Sequence, residues 1–223
     1  MPRIARAVAT DYPHHITQRG NNRAQVFFDD EDRTFYLTTL QKYARQYKAD
    51  IWAYCLMTNH VHFVAVPREE FSLSRGIGIT NLVYTQYLNR KLGNSGRVWQ
   101  NRFFSCPVET ETYLWAVVRY IVNNPVKAGI TERAVGYRWS SAVAHIAGRQ
   151  DPIVASDSWL PPEQRDHFAN FLELPSEEEN AIIRKQTATG RPLGNDAFID
   201  HLEYKLNAML RLRQRGRPKK SEK

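Results

Sequence analysis

The sequence predicts an α+β domain: an antiparallel sheet with two helices on one face, one more helix after the last strand, and a helical extension beyond it. Three observations predict it. Four short stretches alternate as half-buried strands do, two long stretches between them carry a helical period, and their order is strand, helix, strand, strand, helix, strand. That order is the split βαβ arrangement, βαββαβ, of ferredoxin-like and RRM-like sheets.

Each element has its own signals. Pro13 to Arg19 (PHHITQR) alternates loosely and stops at Gly20-Asn21-Asn22, a strand followed by a turn. Asp29-Asp30-Glu31-Asp32 puts acids where a helix dipole favours them, and Phe35, Leu37, Leu40 and Tyr43 give that helix an apolar stripe to about Lys48. Ile51 to Met57 is the second strand, Thr58-Asn59 a break, and His60 to Val66 the third strand, ended by Pro67. A second helix spans about Leu73 to Leu92 and closes at Gly93-Asn94. Arg97 to Cys106 (RVWQNRFFSC) is expected as the fourth strand, and Glu109 to Asn124 as a third helix ended by Pro125.

Beyond about Gln150 prolines multiply and apolar residues thin out. Ser176 with Glu179 is a capping-box signature for a helix to about Gln186. Thr187 to Gly194 (TATGRPLG) is expected as a turn. Asn195 then caps a helix with Phe198, Ile199, Leu202, Leu206, Met209 and Leu210 on one face. The organisation expected is a domain over 1–148, a helical module over 149–210 and a basic tail over 211–223.

The net charge of +8 is concentrated near the end. Lys205 to Lys223 holds eight basic residues and one acid, whereas the other 204 residues hold 23 basic and 22 acidic ones. A near-neutral body with such a tail points to a polyanion at the tail, or to a solvated end. No stretch approaches the ~20 apolar residues of a membrane span, and Met1-Pro2-Arg3-Ile4 opens no secretory signal. A cytoplasmic, nucleoid-associated protein is expected. Cys55 and Cys106 are too few for a disulfide framework and lack metal-ligand spacing, so buried reduced thiols are expected.

Chemistry concentrates in two places. His60 and His62 are two apart on a strand, so they share a face while Val61 and Phe63 point the other way. Two imidazoles on a rigid strand can hold a divalent cation, or can be two hydrogen-bonded histidines near a strand end. Tyr120 lies on the third helix with Asn124 one turn later. A phenol is a poor nucleophile near neutrality unless its target is activated, and a metal on the non-bridging oxygens of a phosphodiester supplies that activation. Asn124 could add its amide oxygen to the metal shell. Tyr113, two turns before Tyr120, is a rival nucleophile, but Val117 stands four residues after it.

Met57 to Pro67 (MTNHVHFVAVP), Arg97 to Ser105 (RVWQNRFFS), Arg119 to Ile130 (RYIVNNPVKAGI) and His14 to Arg23 (HHITQRGNNR) together resemble the single-tyrosine HUH transposases of bacterial insertion sequences, and within them the REP-associated tyrosine transposases. The resemblance spans about residues 10 to 145. It implies a metal pair at His60 and His62, a nucleophile at Tyr120 and a polar metal-assisting residue at Asn124. It also implies cleavage and rejoining of single-stranded DNA at hairpins (REP-like palindromes) through a 5′-phosphotyrosine, with Mg²⁺ or Mn²⁺ as cofactor. The alternative is a hairpin-binding protein that keeps the fold without productive cleavage. A replication initiator is disfavoured, since no helicase region or second paired tyrosine is evident. Whether the tyrosine serves its own chain or a dimer partner is left open.

For DNA contact the candidates are Arg19, Asn21, Asn22 and Arg23 after the first strand, Arg90 and Lys91 ending the second helix, and Arg102. The first cluster also reads as an ordinary solvated loop. Tyr84 and Tyr87 read as packing or as base-stacking platforms, and Trp99 and Phe103 as core. In the tail, Arg215, Arg217, Lys219 and Lys220 frame Gly216 and Pro218 like an AT-hook, or like a nonspecific phosphate-binding end. The turn between the last two helices is long for a helix-turn-helix.

Overall fold

The sheet is built from β1 (His14–Arg19), β2 (Ala49–Leu56), β3 (His60–Pro67) and β4 (Phe104–Pro107), in the order β2-β3-β1-β4. Every neighbouring pair is antiparallel. The structure, a computed structural model, describes residues 7–155, 159–174 and 176–211. Helices α1 (Asp30–Gln46) and α2 (Ser72–Leu92) complete the expected βαββαβ order. They cover one face, where Tyr36, Leu40, Ile77 and Tyr84 meet Ile16, Val61, Phe63 and Ala65 of the sheet.

The second face carries α3 (Thr110–Val122), α5 (Ala142–Ala147), α6 (Arg165–Leu172) and α7 (Glu177–Thr189). Val117, Ile121, Ala142, Phe168, Leu172 and Ile183 pack there against Ala53, Cys55 and Val64. The region expected as an appended module thus shares one core with the sheet. Only α8 (Asp196–Leu206) builds a separate small cluster, with Phe198 and Leu202 against Ala7 and Ala9.

A bulge decides which residues of β2 see which face. Ile51 lies opposite Ala65 and Ala53 opposite Val64, so Trp52 is one residue too many. Before it, Ala49 and Ile51 face α1 and α2; after it, Ala53, Cys55 and Met57 face α3 instead.

Two expectations are corrected. The fourth strand covers only Phe104–Pro107, not Arg97 to Cys106. β1 offers β4 only His14 to Thr17, and Gly20 then turns the chain into a short 3₁₀ turn, so the preceding residues have no strand to pair with. They are held by single contacts, such as the Gly20–Trp99 bridge and the 2.9 Å bond from the Gln100 amide to the Arg19 carbonyl. Second, α3 stops at Val122, and Asn124 opens a separate short helix, α4 (Asn124–Lys127). Pro125 has no N–H to donate to Ile121, and the Asn124 side-chain amide instead lies 2.6 Å from the Tyr120 carbonyl and 3.4 Å from that of Ile121.

The helix caps follow the sequence. Asp29 and Asp32 form a reciprocal capping box on α1. Ser176 caps α7 through the Glu179 amide, but the Glu179 carboxylate pairs with Arg119, so only half of that box forms. Cys55 and Cys106 are free and buried, and burial pushes both thiols up.

Candidate active site

The site lies on the second sheet face. Strand register places Thr17 opposite His62 and Arg19 opposite His60, so His15, Thr17 and Arg19 of β1 share a face with both histidines. The His60 and His62 rings meet edge to face with centroids 5.0 Å apart. Tyr120 comes down from α3 with its ring 5.5 Å from His62 and 5.7 Å from His15. Among the described residues, Tyr113 has no ring contact with a histidine and packs into the core beneath α3.

Both candidate ligands make their hydrogen bonds through Nδ1. His60 Nδ1 is 2.6 Å from Asn59 Oδ1, and the Asn59 amide donates onward to the Arg23 carbonyl at 2.9 Å. His62 Nδ1 is 3.1 Å from His15 Nε2, and His15 Nδ1 is 2.7 Å from Thr187 Oγ1 at the end of α7. Burial, and then the Arg19 charge, lowers His60 to about 4. Burial drives His62 well below its ordinary value, helped by His60, His15 and Arg19. Both imidazoles are therefore neutral near pH 7 with Nε2 available, which is the form that binds a metal. No group of three or more His, Cys, Asp and Glu side chains with metal-binding geometry occurs among the described residues. The donor set fits a cation that takes its other ligands from amide, water or phosphate oxygens.

Around the phenol, burial raises the Tyr120 pKa, while the charges of Arg184 on α7 and of Arg19 pull it back. Arg184 also pairs with Glu177, whose carboxylate accepts from Lys127 at 2.6 Å. Hydrogen bonds from Lys127 and Arg184 hold Glu177 down to about 2. Tyr120 borders a cavity of about 450 Å³ whose lining includes Asn124, Lys127, Arg133 and Glu177 but neither histidine. Asn124 makes no hydrogen bond to His60 or His62 among the described residues; its amide nitrogen serves the end of α3.

The sequence model of the family described as Transposase IS200 like matches residues 9–124, just over half of the chain. The chain belongs to the IS200-like transposases. The span matched to this DNA-processing family runs from β1 through His60, His62 and Tyr120 to Asn124, and α5 to α8 lie beyond it. Among solved structures, a REP-associated tyrosine transposase bound to a REP hairpin is similar, with a TM-score of 0.54 and 21% identity over 70% of this chain and 93% of that one. At that identity the likeness is one of fold. No curated protein sequence matches the chain.

The expected DNA-contact residues of this IS200-like chain that the structure describes fall into three groups. Arg19 belongs to the site itself. Asn21, Asn22 and Arg23 form the 3₁₀ turn beside it, and Arg23 lines a shallow depression with Asn59, His60, Ala128 and Ile130. Gly20 makes that turn possible, since a Cβ there would sit 2.2 Å from the Ala24 carbonyl oxygen. Arg90, Lys91 and Arg102 lie elsewhere, away from the histidine–tyrosine cluster. Arg102 borders a groove along α2 with Arg97, Asn81 and Thr85, and Arg90 is exposed. Lys91 is held at 2.6 Å by both Asp29 and the buried Asp32, so its charge is used within the fold. Tyr84 is core, and Tyr87 stacks on Phe35 at 4.0 Å. Arg215, Arg217, Lys219 and Lys220 lie outside the described residues. No helix among the described residues is long and apolar enough to cross a membrane.

Sequence reasoning missed four residues of this site in the IS200-like chain: His15, Asn59, Arg184 and Thr187. For His15 and Asn59 a signal existed. His15 has the strand phase of Thr17 and Arg19, and Asn59 directly precedes the histidine pair. Arg184 and Thr187 reach the site only through tertiary packing.

Proposed function

We propose that the chain is a metal-dependent endonuclease and strand-transferase for single-stranded DNA that carries hairpins. One observation carries this reading: the phenol of Tyr120 lies against His62, which itself adjoins His60, with Nε2 of both imidazoles available. Family membership supports DNA as the substrate, and the REP hairpin on the structural neighbour supports palindromic single strands of that kind.

In this reading the Tyr120 oxygen attacks the scissile phosphorus in line and loses its proton to solvent. The P–O3′ bond breaks, the 3′ oxygen takes up a proton, and the 5′ phosphate stays on the tyrosine. Because the phosphotyrosine conserves the bond energy, attack by another 3′ hydroxyl rejoins strands without nucleotide hydrolysis. His60 and His62 would hold Mg²⁺ or Mn²⁺, which when bound polarises the non-bridging oxygens and offsets their developing charge. Asn124 lines the same cavity as Tyr120, and in this reading its amide oxygen would join the metal only once DNA is bound. Arg184 would favour the phenolate that forms as the strand is rejoined, and Arg19 would meet the phosphate.

The test is a covalent-adduct assay on labelled hairpin-containing single strands with Mn²⁺. Tyr120→Phe should abolish the adduct and Tyr113→Phe should retain it. The reverse pattern would move the nucleophile to Tyr113. Binding by the unsubstituted chain without adduct in either Mg²⁺ or Mn²⁺ would reduce the function to hairpin binding.

A further inference from the structure

We propose that Thr187, at the end of α7, acts through His15 to set the tautomer of His62 and so the ring nitrogen that His62 offers to a metal ion. This rests on the metal-site reading above, but the hydrogen-bond chain can be tested apart from it. Thr187 lies beyond the span matched to the family, so the proposal gives α7 a part in the site.

The argument is an account of protons. A threonine hydroxyl has one proton to donate. Thr187 Oγ1 lies 2.8 Å from the Ile183 carbonyl oxygen, which can only accept, so the hydroxyl proton points there. At 2.7 Å from His15 Nδ1 the same oxygen must then accept, and His15 carries its proton on Nδ1. His15 is 1% exposed, and its ring meets a hydroxyl and an imidazole but, among the described residues, bonds no carboxylate, so burial favours the neutral ring and its Nε2 holds a lone pair. That lone pair lies 3.1 Å from His62 Nδ1, which must be the donor. The two rings are within 12° of parallel with centroids 5.3 Å apart, the geometry of an edge-to-edge bond. His62 is left with its lone pair on Nε2.

His60 reaches the same tautomer by a separate route. The Asn59 amide group donates to Arg23, which fixes Oδ1 toward His60 Nδ1 as an acceptor. One chain of bonds comes from the loop after β1 and the other from α7, and both leave Nε2 as the ligand atom. Hydrogen bonds of this kind raise ligand basicity and fix ring orientation, and losing one typically costs ~10–100-fold in metal affinity. Thr187 and His15 are thus positioning residues; neither would touch the metal.

The experiment is long-range ¹H–¹⁵N correlation NMR on the histidine rings of the full chain, assigned by single histidine substitutions, together with Mn²⁺ titration followed by EPR. The unsubstituted chain should show His62 and His15 protonated on Nδ1 only. Thr187→Val, nearly the same shape, should give His62 a mixed tautomer population and weaken Mn²⁺ binding about tenfold or more. Thr187→Ser should restore both. A His62 proton on Nε2 in the unsubstituted chain would overturn the proposal whether or not the variants fold. So would a folded Thr187→Val protein with unchanged ring signals and unchanged Mn²⁺ affinity. Predicted tautomers in a chain that binds no Mn²⁺ would uphold the hydrogen-bond chain and defeat the metal reading instead.

Discussion

Lys91 and Arg19 are both cations at expected DNA-contact positions, and the fold uses them differently. Lys91 neutralises Asp29 and the buried Asp32, while Arg19 is exposed beside His60. Lys91→Ala should therefore lower the thermal midpoint by leaving Asp32 without its cation, with the salt dependence of DNA binding unchanged. Arg19→Ala should leave the midpoint nearly unchanged, reduce the slope of log affinity against log salt by about one, and slow adduct formation. Thermal melts and salt titrations of both variants check the contrast. At this scale the sequence points to the groups proposed to react and conceals those that would orient them. His60, His62 and Tyr120 were legible because strand phase and motif spacing are local. Thr187 meets His15 across 172 residues, and no local pattern encodes that contact.

Helix α7 shows why element boundaries matter for the site. Gly190 and Pro192 signal an end to the helix, and the expected turn began at Thr187. The helix instead continues to Thr189 and is capped by Gly190 in the left-handed conformation at φ 69°. The extra turn places Thr187 on the sheet. One turn earlier, Ile183 is 1% exposed in the core shared with α3 and anchors the helix. Ile183→Ala should cost about 2–5 kcal/mol in denaturant unfolding and loosen Mn²⁺ binding with it. The order of sheet strands and helices was readable from periodicity, but the Trp52 bulge and the short β4 were not, since both depend on what the neighbouring strand offers. Truncation after Leu210 should weaken DNA binding and flatten its salt dependence; unchanged affinity would make the basic tail dispensable.

For the whole molecule, buried histidines set an acid limit. His14 and His145 are each lowered to about 4, chiefly by burial. His14 accepts from the Ala9 amide and lies 2.8 Å from the Tyr12 carbonyl, while His145 lies 3.0 Å from Ser141 Oγ with the Arg165 charge against its protonated form. Both folded values are below the unfolded one of 6.5, so the unfolded chain takes up protons that the folded chain refuses. Stability should be full above pH 6.5 and fall as pH drops toward 4, by up to ~1.4 kcal/mol per pH unit for each histidine. Urea midpoints from pH 7 to pH 4 check this, and a shallower profile in His145→Gln would give its share. One feature of the site reaches beyond stability. Tyr120 lies against a histidine of its own chain, so in the proposed reading each chain would supply one nucleophile and hold one severed 5′ end. Joining two ends then becomes a matter of kinetic order. If one chain holds the first end while it fetches the second, the joining rate rises linearly with enzyme concentration. If two chains must meet on one DNA, it rises with the square, and a dilution series separates the two.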